Sequence, residues 1–231
     1  MTKARWGAVF LMIGVLALAA FAFSRPRPES KPTLLLLTSL PLVFGEQFSL
    51  QEGGSPTLTA LQSRYRVVPI SVTDGKDLSR GRLLLMAHPL AQTAENLVTL
   101  DRWVRDGGRV LLLADPMLEW PSERPLGDPL RPPAVFMDTG LLRHWGLVLD
   151  GPYPRGPQLR VLGAQEVLTV SPGSLKGSCQ IAADRLVAHC QVGQGRATIV
   201  ADADLLDIPH LDHRGANNLD ALLAELADLQ R

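Results

Sequence analysis

Residues 82–114 constrain the fold more than any other part of the chain. Arg82–Ala87 (RLLLMA) and Arg109–Ala114 (RVLLLA) are short continuous apolar runs, the pattern of strands covered on both faces. A helical pattern lies between them. Thr93 stands at an N-cap position, Leu97, Leu100 and Val104 recur at i, i+3 and i+7, and Gly107 supplies a left-handed C′ residue. Two buried strands joined through a helix imply a crossover. The passage therefore predicts an α/β domain with a mainly parallel sheet and helices on both faces.

The flanking sequence continues the alternation. Thr33–Thr38 (TLLLLT) reads as a buried strand, and Ser55-Pro56 as the N-cap and first residue of a helix through Leu58 and Leu61. Val67–Val72 (VVPISV) reads as a strand whose Pro69 places it at a sheet edge. Residues 115–138 hold six prolines and little periodicity, a long connection of the kind that usually has a task. Leu141–Leu149 predicts a short helix, a stop at Gly146 and a short strand. Residues 158–192 predict strands and turns, a C-terminal β-rich insertion, and Ala197–Ala201 (ATIVA) a further core strand. Asn217 is placed to cap a last helix striped by Leu219, Leu222, Leu223, Leu226 and Leu229.

The charge is neutral in total, 23 basic against 23 acidic residues, but unevenly placed. Residues 1–31 carry Lys3, Arg5, Arg25, Arg27 and Lys31 against Glu29, a net of +4, so residues 32–231 carry −4. An acidic globular part excludes a nucleic-acid binder, which needs a basic surface against phosphates. Between the basic clusters, Trp6–Phe23 has no charged residue and is just long enough to span a bilayer as a helix. It reads as an uncleaved anchor, following a short cytoplasmic tail (residues 1–5) and followed by a Pro-rich linker (residues 24–32). A cleaved signal peptide is the alternative, with Ala20-Phe21-Ala22 as the small-x-small site.

The flanking charges do not settle orientation, since basic residues lie on both sides of the run. The cysteines do more. Cys179 and Cys190 flank a turn around Ala183-Asp184-Arg185, and two antiparallel strands would bring them together. A disulfide there suits an oxidising compartment, against the alternative of two buried thiols. The reading is a single-pass protein of a bacterial inner membrane, with residues 33–231 as a periplasmic domain.

Three stretches together resemble the extracytoplasmic domain of the GldG-type, gliding-motility-associated auxiliary components of ABC transport systems. They are DRWVRDGGRVLLLADP (Asp101–Pro116), LLRHWGLVLD (Leu141–Asp150) and GQGRATIVADADLLD with NNLDALLAELADL near the end of the chain. The resemblance implies a flavodoxin-like or glutamine-amidotransferase-like α/β fold. It also implies membrane-attached service to an ABC permease and ATPase, which would supply the nucleotide site. This chain is shorter than that family's pattern and has a single apolar run.

The sequence argues against chemistry at the usual places. An amidotransferase-like enzyme needs a nucleophile at a sharp turn after a core strand, yet the turns here read Ala114-Asp115-Pro116 and His88-Pro89. No GxSxG, GxGxxG or GxxxxGK[ST] motif follows a strand, so no nucleotide or other cofactor is implied. Gly53-Gly54-Ser55-Pro56 reads as a loop into a helix cap before it reads as an anion site. The cluster Asp202, Asp204, Asp207, His210, Asp212 and His213 has donor types for a divalent cation, but lacks the i, i+4 histidine pair and is interrupted by Pro209; a solvated acidic turn is the stronger reading and no metal is assigned. His88, His144 and His189 are isolated and read as packed or solvent-facing.

For ligand or partner binding the candidates are Phe44 and Glu46 after the first strand, His88, Asp115, Trp120 on the proline-rich loop, and Asp202 with Asp204. Strand C-termini are where α/β ligand crevices form. The expected function is a non-enzymatic, membrane-anchored auxiliary or substrate-engaging component of an ABC-type transporter, with an unidentified small-molecule or envelope ligand. Two alternatives stand beside it. One is a secreted or periplasmic hydrolase or metal-dependent enzyme using Asp202–His213, and the other is a cell-envelope scaffold or interaction module.

Overall fold

The structure is a computed structural model that describes residues 31–44 and 54–231. The apolar run Trp6–Phe23, its flanking segments before residue 31, and Glu46 lie outside the described residues. Among the described residues no helix is long and apolar enough to cross a membrane. Residues 32–231 form a compact unit.

Among the described residues seven strands make the main sheet. Chain order gives β1 (Thr33–Thr38), helix α1 (Pro56–Arg64), β2 (Arg66–Pro69), the single turn α2 (Gly75–Leu78), β3 (Leu83–Ala87), α3 (Ala94–Arg105) and β4 (Arg109–Leu113). After the long connection come α4 (Leu141–His144), β5 (Leu147–Asp150), β6 (Pro157–Leu162), β7 (Gln165–Val170), β8 (Ser174–Gly177), β9 (Gln180–Ile181), β10 (Val187–Val192), β11 (Gly195–Val200) and α5 (Asn218–Gln230). The sheet order is β2-β1-β3-β4-β11-β10-β9. Strands β2, β1, β3, β4 and β11 run parallel, and β10 and β9 extend the sheet antiparallel. The fold is thus mixed α/β around a mainly parallel sheet.

Continuous apolar runs become buried parallel strands because both faces are covered. Leu34–Leu37, Leu83–Ala87 and Val110–Leu113 are each no more than 4% exposed. Burying one such leucine side chain contributes about 1.5–3 kcal/mol. From β1 the chain crosses to one side of the sheet order, and from β3 to the other. Right-handed crossovers in opposite directions place α1 and α3 on opposite faces. Helix α5 packs against α1, while α3 packs against α2 and β11. Gly195 starts β11 under the end of α3, where an added Cβ would fall 2.0 Å from the Val104 carbonyl oxygen. Gly107 takes φ +97° and ends α3, as a C′ glycine should.

The caps at Ser55 and Thr93 form as the sequence predicts, their hydroxyls accepting from the N–H groups of Leu58 and Asn96. Pro69 lies in β2, the edge strand. The last helix differs in its anchoring. Asn217 holds the N-cap position, but its side chain makes no capping bond. The next residue, Asn218, is buried, and its amide accepts from the Leu168 N–H and donates to the Leu168 and Leu205 carbonyls. Periodicity finds a helix start, but only the arrival of β7 shows which asparagine is used.

The β-rich part is an insertion between β4 and β11, so it precedes the last parallel strand and is not C-terminal to the sheet. It contributes the pairs β5–β8 and β6–β7 beside the main sheet. In the hairpin of β9 and β10, Gln180 faces His189, which sets Cys179 opposite Cys190; the two form a disulfide with a Cα–Cα distance of 4.9 Å.

Candidate functional site

All five parallel strands end on one side of the sheet, and the chain reverses its direction of winding between β1 and β3. That switch point is the usual crevice of an open α/β sheet. Here it is stitched shut. The Thr38 hydroxyl donates to the Ala87 carbonyl at 2.8 Å and the Ser39 hydroxyl to the His88 carbonyl at 2.5 Å, so side chains after β1 bind the backbone at the end of β3. His88 is fully buried, with a left-handed φ of +45°. Its Nε2 lies 2.8 Å from the Pro133 carbonyl oxygen, a contact that makes Nε2–H the donor, and its ring tilts against Phe136. The other ring nitrogen, Nδ1, is buried and has no hydrogen-bond partner among the described residues. Burial holds the His88 pKa below its usual value, with the Pro133 contact opposing, so the ring is neutral.

The proline-rich connection roofs this end of the sheet. The Phe136 N–H donates to the Asp115 carbonyl and the Leu118 N–H to the Ala134 carbonyl. Asp115, Asp202 and Asp204 hold the roof from below. Asp115 Oδ1 accepts from the Met117 N–H at 2.8 Å, and Oδ2 from the N–H groups of Ala203 at 2.7 Å and Asp204 at 3.3 Å. Asp202 accepts from Leu205 at 2.8 Å and from Val170 of β7 at 3.0 Å. Asp204 Oδ2 accepts from the Glu119 N–H at 2.8 Å, and the Glu119 carboxylate accepts from the Ser171 hydroxyl. Three separate segments, the start of the proline-rich connection, the turn at 202–205 and β7, are thus tied through carboxyl oxygens to backbone N–H groups.

The electrostatics follow from burial. Asp115 and Asp202 are fully buried and Asp204 is 2% exposed. Loss of hydration raises the Asp204 pKa to about 8, with the negative Asp115 adding to the rise and the Glu119 N–H opposing it. Asp115 is raised to about 6 by burial against three backbone N–H donors. Asp202 is pushed well up by burial and by the charges of Asp115 and Asp204. Burial also raises Asp207, against the pull of His210, whose Nδ1 lies 2.7 Å from its Oδ1. The acidic turn is therefore a correction to the sequence reading. Asp202, Asp204 and Asp207 are buried, and only Asp212, paired with Arg214, is solvated.

This arrangement suits structure better than cation binding. Metal ligation wants ionised carboxylates turned to one point. Here the oxygens turn to different backbone groups, and burial raises Asp204 to about 8, so that it holds its proton at neutral pH. Among the described residues no group of three or more His, Cys, Asp or Glu side chains is placed to hold a metal ion. The cluster does reach solvent at a cleft of about 280 Å³, lined by Asp204, Asp207, Glu119, His210 and Arg214 among others.

Of the sequence candidates, His88, Asp115, Asp202 and Asp204 come together at the strand ends, and Trp120 is half-buried against the core one residue beyond Glu119. Phe44 is 77% exposed and, among the described residues, makes no hydrogen bond or ring contact with the others. Sequence reasoning missed Ser39, Glu119, Ser171, Pro133 and Phe136. Their only signal was position next to a strand end or in the proline-rich segment, and the contacts that bring them to the site, those of Ser39, Pro133 and Phe136 with His88 and of Ser171 with Glu119, span 45 or more residues.

The chain is similar in fold to several solved structures. The β-galactosidase from Bacillus circulans sp. alkalophilus superposes with a TM-score of 0.54 at 15% identity, over 87% of this chain and 31% of that one. Exo-beta-1,4-mannosidase Op5Man5 from Opitutaceae bacterium strain TAV5 gives 0.52 at 13% identity, over 86% and 36%. The mmIFT52 N-terminal domain gives 0.53 at 14% identity, over 84% and 96%. The chain thus spans about a third of the length of these glycosidases and nearly all of the mmIFT52 domain. No protein-family model matches the chain, and no curated protein matches it. At these identities the likeness shows a common α/β fold, one that also occurs as a part of glycoside hydrolases.

Proposed function

We propose that residues 33–231 are a non-enzymatic domain of flavodoxin-like or glutamine-amidotransferase-like architecture, held at the outer face of a bacterial inner membrane by Trp6–Phe23. In this reading it serves an ABC permease and ATPase as an auxiliary or substrate-engaging component. The parallel order β2-β1-β3-β4-β11 supports the architecture, being the order of a flavodoxin-like sheet. One observation carries the functional part: the crevice where such sheets place their chemistry is occupied by the protein's own side chains. Thr38, Ser39 and His88 close the switch point, and Asp115, Asp202 and Asp204 are engaged by backbone N–H groups. The disulfide supports an oxidising compartment. The transporter role is supported by the resemblance of Asp101–Pro116, Leu141–Asp150 and the C-terminal stretch.

Co-purification of the full chain from membranes in mild detergent tests this. A permease and an ATPase should be recovered with it, and a chain that remains alone counts against the proposal. Metal analysis of the same preparation addresses an enzyme built on Asp202–His213: stoichiometric metal that Asp204→Ala abolishes would replace the non-enzymatic reading.

A further inference from the structure

Among the described residues, four of the five parallel strands begin on an arginine or next to one. Arg66 opens β2, Arg82 precedes Leu83 of β3, Arg109 opens β4, and Arg196 is the second residue of β11. The register sets them side by side: Thr33 of β1 lies opposite Arg66, Leu83 opposite Arg109, and Arg109 opposite Arg196. With strands about 4.8 Å apart, the row crosses the sheet for roughly 19 Å. Helix α1 ends at the same edge on Arg64, which is exposed.

What neutralises these charges decides their use. Among the described residues none of Arg66, Arg82, Arg109 and Arg196 is ion-paired. Arg66 donates to the Thr33 hydroxyl at 2.7 Å, Arg82 to the Asp106 carbonyl at 2.9 Å and Arg196 to the Leu229 carbonyl at 3.1 Å, while Arg109 has no such bond. Capping the last turns of α3 and α5 accounts for the positions of Arg82 and Arg196. It supplies no counter-charge, and it leaves Arg66 and Arg109 unexplained. Arg80, Arg105 and Arg231 nearby are paired with Asp77, Asp101 and Asp228. Asp106 is an exposed carboxylate left among the unpaired arginines, so the excess at this end is positive. Residues 32–231 nonetheless sum to −4, because Asp115, Asp202, Asp204 and Asp207 sit at the opposite end, where the strands finish.

We propose that the arginine end of the domain is a membrane-facing surface that lies on anionic lipid headgroups. The inference rests on the reading of Trp6–Phe23 as an anchor. The chain enters the domain in the same row, since Thr33 is the first residue of β1. Residues 24–32, fully extended, reach no more than roughly 30 Å, so an anchored domain keeps this end on a short tether to the bilayer. Guanidinium forks match phosphate oxygens, and basic residues close to a bilayer are drawn to anionic lipid. Charge complementarity and the point of entry thus select the same face.

The test places the full chain in nanodiscs of phosphatidylcholine alone and of an equal mixture with phosphatidylglycerol. A fluorophore on Gln194→Cys, in the exposed turn before β11, reports the arginine end, and one on Leu90→Cys, exposed beyond the end of β3, reports the opposite end. Quenching by lipids that carry a nitroxide on the headgroup reads proximity. The Gln194 label should be quenched more strongly in the anionic discs, and the Leu90 label equally in both. Raising the salt to about 1 M, where the Debye length is about 3 Å, should abolish the difference. The double variant Arg66→Gln, Arg109→Gln should abolish it as well, with circular dichroism reporting that the variant is folded. A chain retained in the discs whose Gln194 quenching ignores lipid charge, salt and both substitutions overturns this inference alone. So does a Leu90 label that is quenched more than the Gln194 label. A shift that depends on the arginines and follows added polyglutamate, with no response to lipid, gives the surface to an acidic protein and overturns it too. A chain that discs of neither lipid retain fails the anchored reading, and this inference falls with it.

Discussion

Asp204→Asn isolates the cost of a buried acid. Asparagine keeps a side-chain oxygen that accepts the Glu119 N–H, and it removes the charge. The Asp204 carboxyl has a pKa of about 8 in the folded protein, against the ordinary 3.8. That difference is worth roughly 6 kcal/mol between the two protonation states. The sign follows from proton counting. Between about pH 4 and about pH 8 the folded protein holds a proton that the unfolded chain has released, so wild-type stability falls as pH rises through this window and levels off above it. The variant lacks the share of this loss that belongs to Asp204, while Asp115 and Asp202 keep theirs. Urea unfolding of the disulfide-bonded protein at a series of pH values, read by circular dichroism, gives the comparison directly. The variant should be near wild-type stability at about pH 4 and more stable by at least about 2 kcal/mol at about pH 8.5, allowing for relaxation around the ion. A stability difference that does not change with pH would refute the argument, because it would mean that Asp204 ionises in the folded state as it does in water.

Four further outcomes are expected. Asn218→Ala removes a buried amide that bonds Leu168 twice and Leu205 once, and should lower stability by about 2–4 kcal/mol in the same urea assay, with α5 losing protection in hydrogen exchange. Replacing both Cys179 and Cys190 by serine opens a loop of sequence separation 11 and should cost about 2–3 kcal/mol, measured as a lower urea midpoint. His88→Asn, which tolerates the left-handed backbone, should still cost about 1–3 kcal/mol through the lost ring packing and Pro133 contact. Because burial lowers the His88 pKa, its neutral ring stabilises the fold above pH 6.5 and that contribution declines as pH falls below it, so His88→Asn should be less acid-sensitive than the wild type. Leu111→Ala, in the fully buried central strand β4, should cost about 2–5 kcal/mol by thermal or urea unfolding.

The architecture was legible because its causes are local. A run such as RVLLLA admits few positions other than a strand covered on both faces, and Thr93, Leu100, Val104 and Gly107 mark both ends and the inner face of one helix. Pro69 announced an edge since it lacks an N–H, wherever that edge lies. Cys179 and Cys190 flank a short turn, so hairpin geometry alone brought them opposite each other.

The site was legible in part. His88, Asp115, Asp202 and Asp204 were found by their positions after apolar strands, since a parallel sheet delivers all such positions to one end. Their role was not found. An acidic turn after a strand reads the same whether water or protein covers it, and burial of Asp202 and Asp204 requires β7 and the proline-rich connection to arrive from distant sequence.

What the sequence by itself determined is the apolar parallel strands, the two helices that Ser55 and Thr93 cap, and the end of the sheet where polar side chains gather, because periodicity, capping and φ preferences act within a few residues. What only the tertiary structure decided is that this end is closed by Thr38, Ser39 and His88, and that its carboxyls face backbone N–H groups. Those outcomes depend on which backbone groups find partners across the fold, and such partners are set by the packing of segments far apart in the chain.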